Sequence, residues 1–467
     1  MKTIIIKHLF PLMLLLSIST TASAQTGLIE QMPIKILDSS IVRDWTESRC
    51  ILYYKNYHTN NSYFCVEDIS THTILTAELP SFANIDITDF RVRKDSVFFC
   101  GTFNLSPSQH GALVGFFDIN RVFFSSPTDH IHYGLFPFID TANATVFELL
   151  RPQRMDVIPF RGVTHIVLVG TTYHATRADT STTLCDVFFD NSTGTWTANQ
   201  YVNGSPGIVF TDVASSGSFV AVAAKKNVST EYFTGVYLPS ANILNTPLYP
   251  GILYKMGGNK PLDDVLIESI GLERFVLAHY SKFLNDSYGT EFDMFDINTA
   301  LSSVTPLFYW QVYHGNTTYF SMGWQLRRLC YHNLWQRMML LHDISCPALT
   351  GVESTVFCLD MTLPTPSMSI KALHFPNLSL KEFDRMNAGL FHAIGTLLPN
   401  GRIGALTHEW SLISTGCRSE FVPEFDVIPL LMTESPYLFD QYSPVVSPVS
   451  ISPTLADFET SIICERH

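Results

Sequence analysis

The chain has 467 residues and a formal net charge of −13; charged residues make up 15% of it, while Phe and Tyr number 34 and 19. The negative charge disfavours binding to nucleic acid and to anionic lipid surfaces. Few charged residues and many aromatic side chains favour pleated, half-buried strands over long surface helices, so the composition predicts an all-β fold.

The first 24 residues have the features of a secretory signal peptide. Lys2 and Lys7 accompany an apolar segment over residues 9–18, and Ala22-Ser23-Ala24 supplies small residues before Gln25. The apolar segment is about half the roughly 20 residues that span a bilayer, and no later stretch is long and apolar enough to do so. We expect cleavage after Ala24 and export, as a soluble chain, to the periplasm or the extracellular space. Because the leader holds two lysines and no acidic residue, its removal changes the net charge from −13 to −15.

Residues 28–37 predict a lone strand, after which variants of one unit recur about seven times. Each unit has a first strand, a turn, a dense apolar strand, a loop and a further strand, and in five units the first strand has an aspartate before an apolar residue. In the unit that is easiest to recognise these parts are Ile87-Thr88-Asp89-Phe90, Val97-Phe98-Phe99-Cys100 and residues 114–119. The last two units keep the strand spacing but lose the aspartate. Units begin near residues 42, 87, 155, 210, 262, 319 and 386.

Antiparallel units of this length, repeated this often, predict a single β-propeller. We predict seven blades, with six as the alternative, and ring closure by the strand at residues 28–37, which would complete the last blade. A solenoid is the main competing architecture, and an array of sandwich domains is disfavoured because the units are shorter than the roughly 100 residues of that fold. The predicted organisation is a signal peptide at 1–24, a propeller at 25–420 and a Pro/Ser-rich closing tail at 421–467.

The segment Ile87 to Thr102 (ITDFRV, then DSVFFCGT), followed by Gly115-Phe116-Phe117-Asp118-Ile119, resembles the secreted β-propeller repeats of uncharacterised Bacteroidota proteins. The resemblance covers most of the chain after the leader and implies architecture only. It brings no catalytic residue to any position here. Kelch and WD signatures are absent from the sequence.

Five recurrent aspartates occupy equivalent positions in the first strands of their units, and in a propeller that strand lines the central channel. Carboxylates that converge on a channel mouth could hold Ca²⁺, which binds six to eight oxygen atoms. The alternative is that each aspartate caps a turn or accepts backbone N–H groups within its own blade. The residues are Asp44, Asp89, Asp156, Asp212 and Asp264.

Clustered aromatic residues at Tyr309, Trp310 and Tyr313 are a candidate stacking platform for a sugar ring, with burial in the core as the alternative. His130 and His132 have a spacing compatible with a transition metal, or they are solvated loop residues. No further cofactor is expected.

The chain has nine cysteines. Cys50, Cys100 and Cys330 fall in apolar strand-like runs, where cysteine commonly acts as a small hydrophobic residue. Cys346 and Cys358 flank a turn region and are the pair we predict as a disulfide in an oxidising compartment.

The sequence contains no HExxH, GxSxG, P-loop or GxGxxG signature that opens a helix, and it nominates no catalytic set. It favours an exported, non-enzymatic propeller that binds a protein or glycan partner through the loops of one face. Two alternatives are a polysaccharide-acting hydrolase or lyase, which acidic residues clustered in one central pocket would favour, and a structural component of a cell-surface assembly, which a large exposed apolar patch would favour.

Overall fold

The structure is a computed structural model, and it describes most of the strand-forming chain. The described residues are 27–37, 40–46, 48–79, 84–106, 109–125, 131–136, 147–160, 162–174, 179–203, 207–216, 219–226, 231–237, 252–259, 261–271, 273–283, 288–298, 303–313, 321–332, 336–345, 352–361, 370–375, 378–384, 391–397, 403–409, 419–421, 425–436 and 439–466.

These residues form strands throughout, with one short π-helical turn at Asn120–Phe124. The first strand is β1 (Gly27–Lys35). Blade one follows with β2 (Ile41–Thr46), β3 (Arg49–Lys55), β4 (Ser62–Asp68) and β5 (Thr73–Glu78). Blade two has β6 (Asn84–Arg93), β7 (Ser96–Ser106), β8 (Gln109–Asp118) and β9 (Ile131–Leu135). Blade three has β10 (Phe147–Phe160), β11 (Val163–His174), β12 (Asp179–Asp190) and β13 (Thr195–Asn203).

The remaining blades repeat this order. Blade four has β14 (Ile208–Ser215), β15 (Val220–Lys226), β16 (Tyr232–Tyr237) and β17 (Ile252–Met256). Blade five has β18 (Leu266–Ser269), β19 (Arg274–Lys282), β20 (Tyr288–Asn298) and β21 (Ser303–Tyr313). Blade six has β22 (Ser321–His332), β23 (Arg337–Ser345), β24 (Val352–Asp360) and β25 (Ile370–Phe375). Blade seven has β26 (Leu378–Asp384), β27 (Phe391–Leu397) and β28 (Ile403–Glu409), and β1 is its fourth strand.

The innermost strands close into a ring. Each of β2, β6, β10, β14, β18, β22 and β26 contacts the next in chain order, and β26 contacts β2. This arrangement confirms the predicted all-β propeller closed by a terminal strand, and the described residues form seven five-stranded sheets. The sequence missed β26, the first strand of blade seven, because it predicted that unit to begin near residue 386.

The fifth strand of every blade comes from one segment, residues 419–466, which we name the C-terminal belt. It runs backwards around the ring, from blade six down to blade one, and ends on blade seven. Its strands are β29 (Ser419–Phe421), β30 (Phe425–Pro429), β31 (Met432–Pro436), β32 (Phe439–Tyr442), β33 (Ser447–Ile451), β34 (Thr454–Glu459) and β35 (Ser461–Arg466). They pair antiparallel with β25, β21, β17, β13, β9, β5 and β1 in turn.

The composition of the belt suits an outermost strand. Proline has no backbone N–H and is tolerated where that position faces solvent rather than another strand, as at Pro436 and Pro448. The segment predicted as an extended closing tail therefore forms the outer rim of all seven sheets.

Apolar clusters fill the spaces between neighbouring blades. The described core divides into seven clusters, and each joins two adjacent blades. Between blades one and two, for example, Phe64 packs edge-to-face with Phe90 and Phe117, with ring centroids 5.5 and 5.1 Å apart. Cys50, Cys100 and Cys330 lie in three of these clusters, as predicted. Cys346 lies outside the described residues, so its disulfide with Cys358 stays a prediction.

Several innermost strands carry a β-bulge at corresponding positions. The register shifts at Thr88, Gln153, Thr211, Arg327 and Lys381. In blade two the bulge brings the Asp86 carbonyl so close to β7 that a Cβ on Gly101 would lie 2.3 Å from that oxygen. The bulges turn these side chains towards one end of the channel.

Removal of the belt beyond β29 should destabilise six of the seven blades at once. We expect truncation after residue 421 to lower the melting temperature and to promote self-association, because the edges of β5, β9, β13, β17, β21 and β1 would be unpaired. Truncation after residue 459, which removes only β35, should have a smaller effect. Calorimetry and size-exclusion chromatography measure both, and two truncated chains that stay monomeric with unchanged melting would contradict the stabilising role of the belt.

Candidate binding site in the central channel

Six of the seven innermost strands contribute one charged side chain to the middle of the channel, and the sign alternates from each contributing blade to the next. We name this set the charged ring. It consists of Arg43 on β2, Asp89 on β6, Arg154 on β10, Asp212 on β14, Arg328 on β22 and Glu382 on β26. All but Arg154 are buried.

Arg43 and Asp89 make the closest contacts of the ring. Arg43 Nη2 donates to Asp89 Oδ1 at 2.6 Å, and its Nε donates to the Phe90 carbonyl at 2.8 Å. Arg91, two residues after Asp89 on β6, donates to the same Asp89 oxygen at 2.9 Å. One buried carboxylate therefore accepts hydrogen bonds from two guanidinium groups, which compensates for its lost hydration.

Glu382 is the acidic centre on the other side of the ring. Its carboxylate lies 3.5 Å from Arg43 Nη1, 3.5 Å from Arg328 Nε and 3.7 Å from Arg154 Nη1. Arg154 also donates to the Arg327 carbonyl across the channel at 2.7 Å. The three contacts of Glu382 link the side chains of blades one, three, six and seven.

The two ring aspartates differ electrostatically. Burial raises the pKa of Asp89, but the positive charges of Arg91 and Arg43, and of Arg328 and Arg154 further away, lower it by more. The net effect is a pKa well below the usual value for aspartate. For Asp212 burial is the larger effect, and it raises the pKa despite Arg154 and Arg328. Asp89 is therefore held as an anion by direct ion pairs, and Asp212 has no such pair with another described residue.

Aspartates of the innermost strands also bind the backbone of the next blade. Each accepts a hydrogen bond at 2.7–3.2 Å from an N–H group on the innermost strand of the next blade. Four of these aspartates lie on innermost strands, and Asp263 lies just before β18. The pairs are Asp89 with Met155, Asp156 with Ser215, Asp212 with Ile267, Asp263 with Leu326 and Asp384 with Asp44. Five of the seven blade junctions have such a bond.

The five predicted calcium ligands do not share one environment. Asp89, Asp156 and Asp212 each accept the N–H of the following residue in addition to the bond to the next blade. Asp44 Oδ1 lies 3.6 Å from His392 Nε2, and the exposed Asp264 pairs with Lys225 at 2.6 Å. These contacts fit the alternative in which the aspartates accept backbone amides, and they extend it across blades. The calcium site stays a prediction.

The channel widens into a cavity on each side of the charged ring. The first mouth, of about 540 Å³, lies at the C-terminal ends of the innermost strands. Its polar lining includes Arg91, Arg93, Asp156, Ser215, Glu268, Tyr331 and Asp384. The second mouth, of about 350 Å³, lies at the N-terminal ends and includes the bulged residues together with Arg151 and Asp86. Each mouth has four basic and three acidic residues, so both are net positive in an acidic chain.

Arg93 differs from the other arginines of the first mouth. Arg43, Arg91 and Arg328 have ion pairs with ring or channel carboxylates. Arg93 is half-buried at the end of β6, and no ion pair joins it to another described residue. Its guanidinium is a cation at the rim of the cavity whose charge no described carboxylate balances directly.

The predicted aromatic platform divides between two faces of β21, because successive side chains on a strand alternate. Trp310 is 1% exposed in the core between blades five and six. Tyr309 and Tyr313 lie half-buried on the other face, and the Tyr313 hydroxyl donates to Asp426 of the belt at 2.7 Å. The three side chains therefore do not form one stacking surface, and neither tyrosine lines the channel mouths.

His132 lies on β9, where its ring stacks on Phe116 and its Nδ1 lies 3.0 Å from the Ser450 hydroxyl of the belt. His130 lies outside the described residues, so a metal site that uses both histidines stays a prediction.

The sequence missed the arginines of the ring and two of the aspartates. Asp263 rather than its neighbour Asp264 makes the bond to the next blade, and Asp384 makes the same kind of bond in the blade whose first strand was not predicted. In the structure, Arg154, Arg328 and Glu382 each follow a bulged residue, as Asp89 and Asp212 do. This shared position is a feature of the strand register.

Replacing the two ring aspartates should separate their roles. Asp89→Asn leaves Arg43 and Arg91 without their carboxylate, and we expect a loss of about 3–5 kcal/mol in the free energy of unfolding at pH 7. Asp212→Asn keeps an amide oxygen for one of its two backbone donors and strands no guanidinium group, so it should cost about 1–2 kcal/mol. Urea denaturation measures both, and equal costs would contradict the ion-pair assignment.

Acid should act on the same contacts. Because the folded pKa of Asp89 is depressed, its stabilisation is complete above the ordinary aspartate pKa and is lost as the pH falls towards the folded pKa. The free energy of unfolding, measured by urea denaturation at several pH values between 7 and 2, should therefore fall more steeply for the wild-type chain than for Asp89→Asn. Parallel curves would contradict the depressed pKa.

Comparison with known protein families finds no family model that matches this chain, and comparison with curated proteins finds no similar sequence. No helix in the described part of the chain has the length and apolar character needed to cross a membrane.

Proposed function

We propose that this protein is an exported, non-enzymatic binding protein that holds an acidic glycan fragment in the first mouth of its channel. The observation that carries the proposal is Arg93, a cation without a partnered carboxylate among the described residues, at the rim of a polar cavity. Guanidinium groups bind carboxylates through charge-assisted, often bidentate hydrogen bonds.

The rest of the first mouth is suited to a hydroxyl-rich ligand. Ser215, Ser269 and Tyr331 bring hydroxyl groups, and Asp156 and Glu268 bring acceptors, to one cavity. Its volume of about 540 Å³ lies within the roughly 300–1,000 Å³ of small-ligand clefts. The net positive lining would attract an anion to a chain whose overall charge is negative.

Export is part of the proposal and rests on the leader-like residues 1–24, which lie outside the described residues.

The enzymatic alternative has one observation in its favour: Asp156, Glu268 and Asp384 line the same mouth. Two of them already accept backbone hydrogen bonds from the next blade, which suits a positioning role more than proton transfer. If an acidic oligosaccharide binds, release of new reducing ends or of an unsaturated product would identify a hydrolase or a lyase and would overturn the non-enzymatic proposal.

The assembly alternative has weaker support. Leu431, Val445, Leu455 and Ile462 are exposed on the belt, but they lie along different blades. Single exposed apolar side chains are ordinary on protein surfaces.

The test is titration calorimetry with a uronic-acid oligosaccharide and its neutral counterpart. We expect the acidic ligand to bind and Arg93→Gln to weaken it about 10-fold or more, the effect of one charge-assisted hydrogen bond of about 1.5–3 kcal/mol. Arg151→Gln makes the same charge change in the second mouth and is the matched control, with affinity unchanged.

Equal loss in both variants would place the ligand elsewhere, and binding of the neutral ligand alone would remove the role of Arg93. If no glycan binds while a protein partner is captured through the Arg93 surface, the protein-binding alternative replaces the glycan.

A further inference from the structure

A second polar group lies outside the channel, inside the junction between blades four and five. His279 on β19 and Glu291 and Asp293 on β20 are all 0% exposed. His279 and Glu291 are direct partners in the β19–β20 register, and Asp293 follows two residues later on the same face. Tyr232 on β16 of blade four reaches across the junction and donates its hydroxyl to Asp293 Oδ2 at 2.5 Å.

The three ligand-type atoms converge on one point. His279 Nε2 lies 3.5 Å from Glu291 Oε2 and 3.5 Å from Asp293 Oδ2, and one donor atom of each residue lies within 4.8 Å of the others. Zn²⁺ binds histidine nitrogen and carboxylate oxygen at about 2.0–2.2 Å in a tetrahedron, which separates neighbouring ligand atoms by about 3.3–3.5 Å. The observed separations match this spacing and exceed an ordinary N–H···O hydrogen bond.

The outer contacts orient the group. The Ser281 hydroxyl lies 2.7 Å from His279 Nδ1, so a proton on Nδ1 leaves the lone pair of Nε2 directed at the two carboxylates. Glu291 accepts hydrogen bonds from the Asn259 backbone and side chain and, at 3.0 Å, from Gln311 Nε2. Such supporting contacts are typical around metal ligands.

Two atoms of the group have unused bonding capacity. Neither His279 Nε2 nor Asp293 Oδ1 has a hydrogen-bond partner among the described residues, although both are buried. Carboxylates buried in a medium that solvates charge poorly need a compensating cation or hydrogen bonds, and a metal ion would supply that compensation here.

From this geometry we propose that His279, Glu291 and Asp293 bind one divalent transition-metal ion, of the Zn²⁺ class, that stabilises the junction of blades four and five. The ion would balance both carboxylates and use the lone pair of Nε2. Its role would be structural, because Tyr232 ties the ligand Asp293 to the adjacent blade.

The segment Gly257 to Asn259 packs closely over the group. A Cβ on Gly258 would lie 2.2 Å from the Tyr232 hydroxyl and 2.5 Å from Glu291 Oε2, so only glycine lets the backbone pass this closely. Gly257 is exposed and Asn259 half-buried, which places the group directly beneath the surface.

A matched comparison exists in blade three. There the buried His165 Nδ1 lies 3.0 Å from Asp186 Oδ1, an ordinary hydrogen-bond distance. Within the described part of the chain, His279, Glu291 and Asp293 are the only group of three ligand-type residues with converging donor atoms. His165→Gln therefore removes a buried histidine of a histidine–carboxylate pair without touching the proposed ligands.

The experiment treats the purified full chain with EDTA and then dialyses it against equimolar ZnCl₂, with MnCl₂ and CaCl₂ in parallel. Mass spectrometry counts bound metal, and calorimetry follows the melting temperature. We expect about one zinc per chain and a melting temperature that rises with free zinc, as binding to the native state requires. His279→Gln and Asp293→Asn should lose the zinc, and His165→Gln should retain it.

Zinc absorption spectroscopy of the wild-type chain covers the case in which a variant fails to fold. Nitrogen and oxygen ligands at about 2.0–2.2 Å are expected, and sulfur ligands at about 2.3 Å would overturn the proposal. It is also overturned if no metal is retained and EDTA leaves the melting temperature unchanged, which would make the group a buried imidazolium–carboxylate cluster. Full zinc retention by a folded His279→Gln chain would overturn it as well.

Discussion

The whole fold depends on how the innermost strands are joined. Strands in one blade share a hydrogen-bond ladder, but innermost strands of different blades share none, so other contacts must hold the ring. At five junctions an aspartate binds a backbone amide of the next blade. At the other two, Arg43 binds Asp89 and the Phe90 carbonyl, and Arg328 approaches Glu382. Every junction thus has a polar side-chain contact in addition to its apolar cluster.

The outer rim of the propeller protects the outer edges of the blades. A closed ring of blades still has an unpaired edge on each fourth strand, and such edges invite association with other chains. The C-terminal belt covers these edges one after another, and in blade seven β1 lies between β28 and β35. Both ends of the described chain therefore meet in one sheet. Release of the N-terminal strand from blade seven would break its ladders to both β28 and β35.

The sequence predicted the repeating part of this architecture because strand alternation and unit order are local signals. Asp89, Asp156 and Asp212 were found at their channel positions for that reason. The arginines were missed because a ring whose charges alternate places different residue types at corresponding positions. Arg43 and Glu382 are brought together only by ring closure, across more than 300 residues. The belt was seen as an irregular tail, since its partners lie in seven different units.

Dependence on neighbouring blades also explains why the sequence did not reveal how the aromatic residues and the buried polar group are arranged. The split of Trp310 from Tyr309 and Tyr313 follows from alternation on a strand, yet which face is the core depends on the neighbouring blade. His279, Glu291 and Asp293 carried a faint signal, since charged residues interrupt two apolar strands. Their convergence depends on the β19–β20 register, and their burial depends on Tyr232 of blade four. In the two proposals the channel mouth binds the ligand and the buried group holds blades four and five together.

The measurement that tests the functional account most directly is a crystal structure of the protein soaked with an acidic oligosaccharide. The account predicts density in the first mouth, with a ligand carboxylate within about 3 Å of the Arg93 guanidinium, the length of a charge-assisted hydrogen bond. Ligand density in the second mouth or on the belt, with the first mouth holding only solvent, would contradict it.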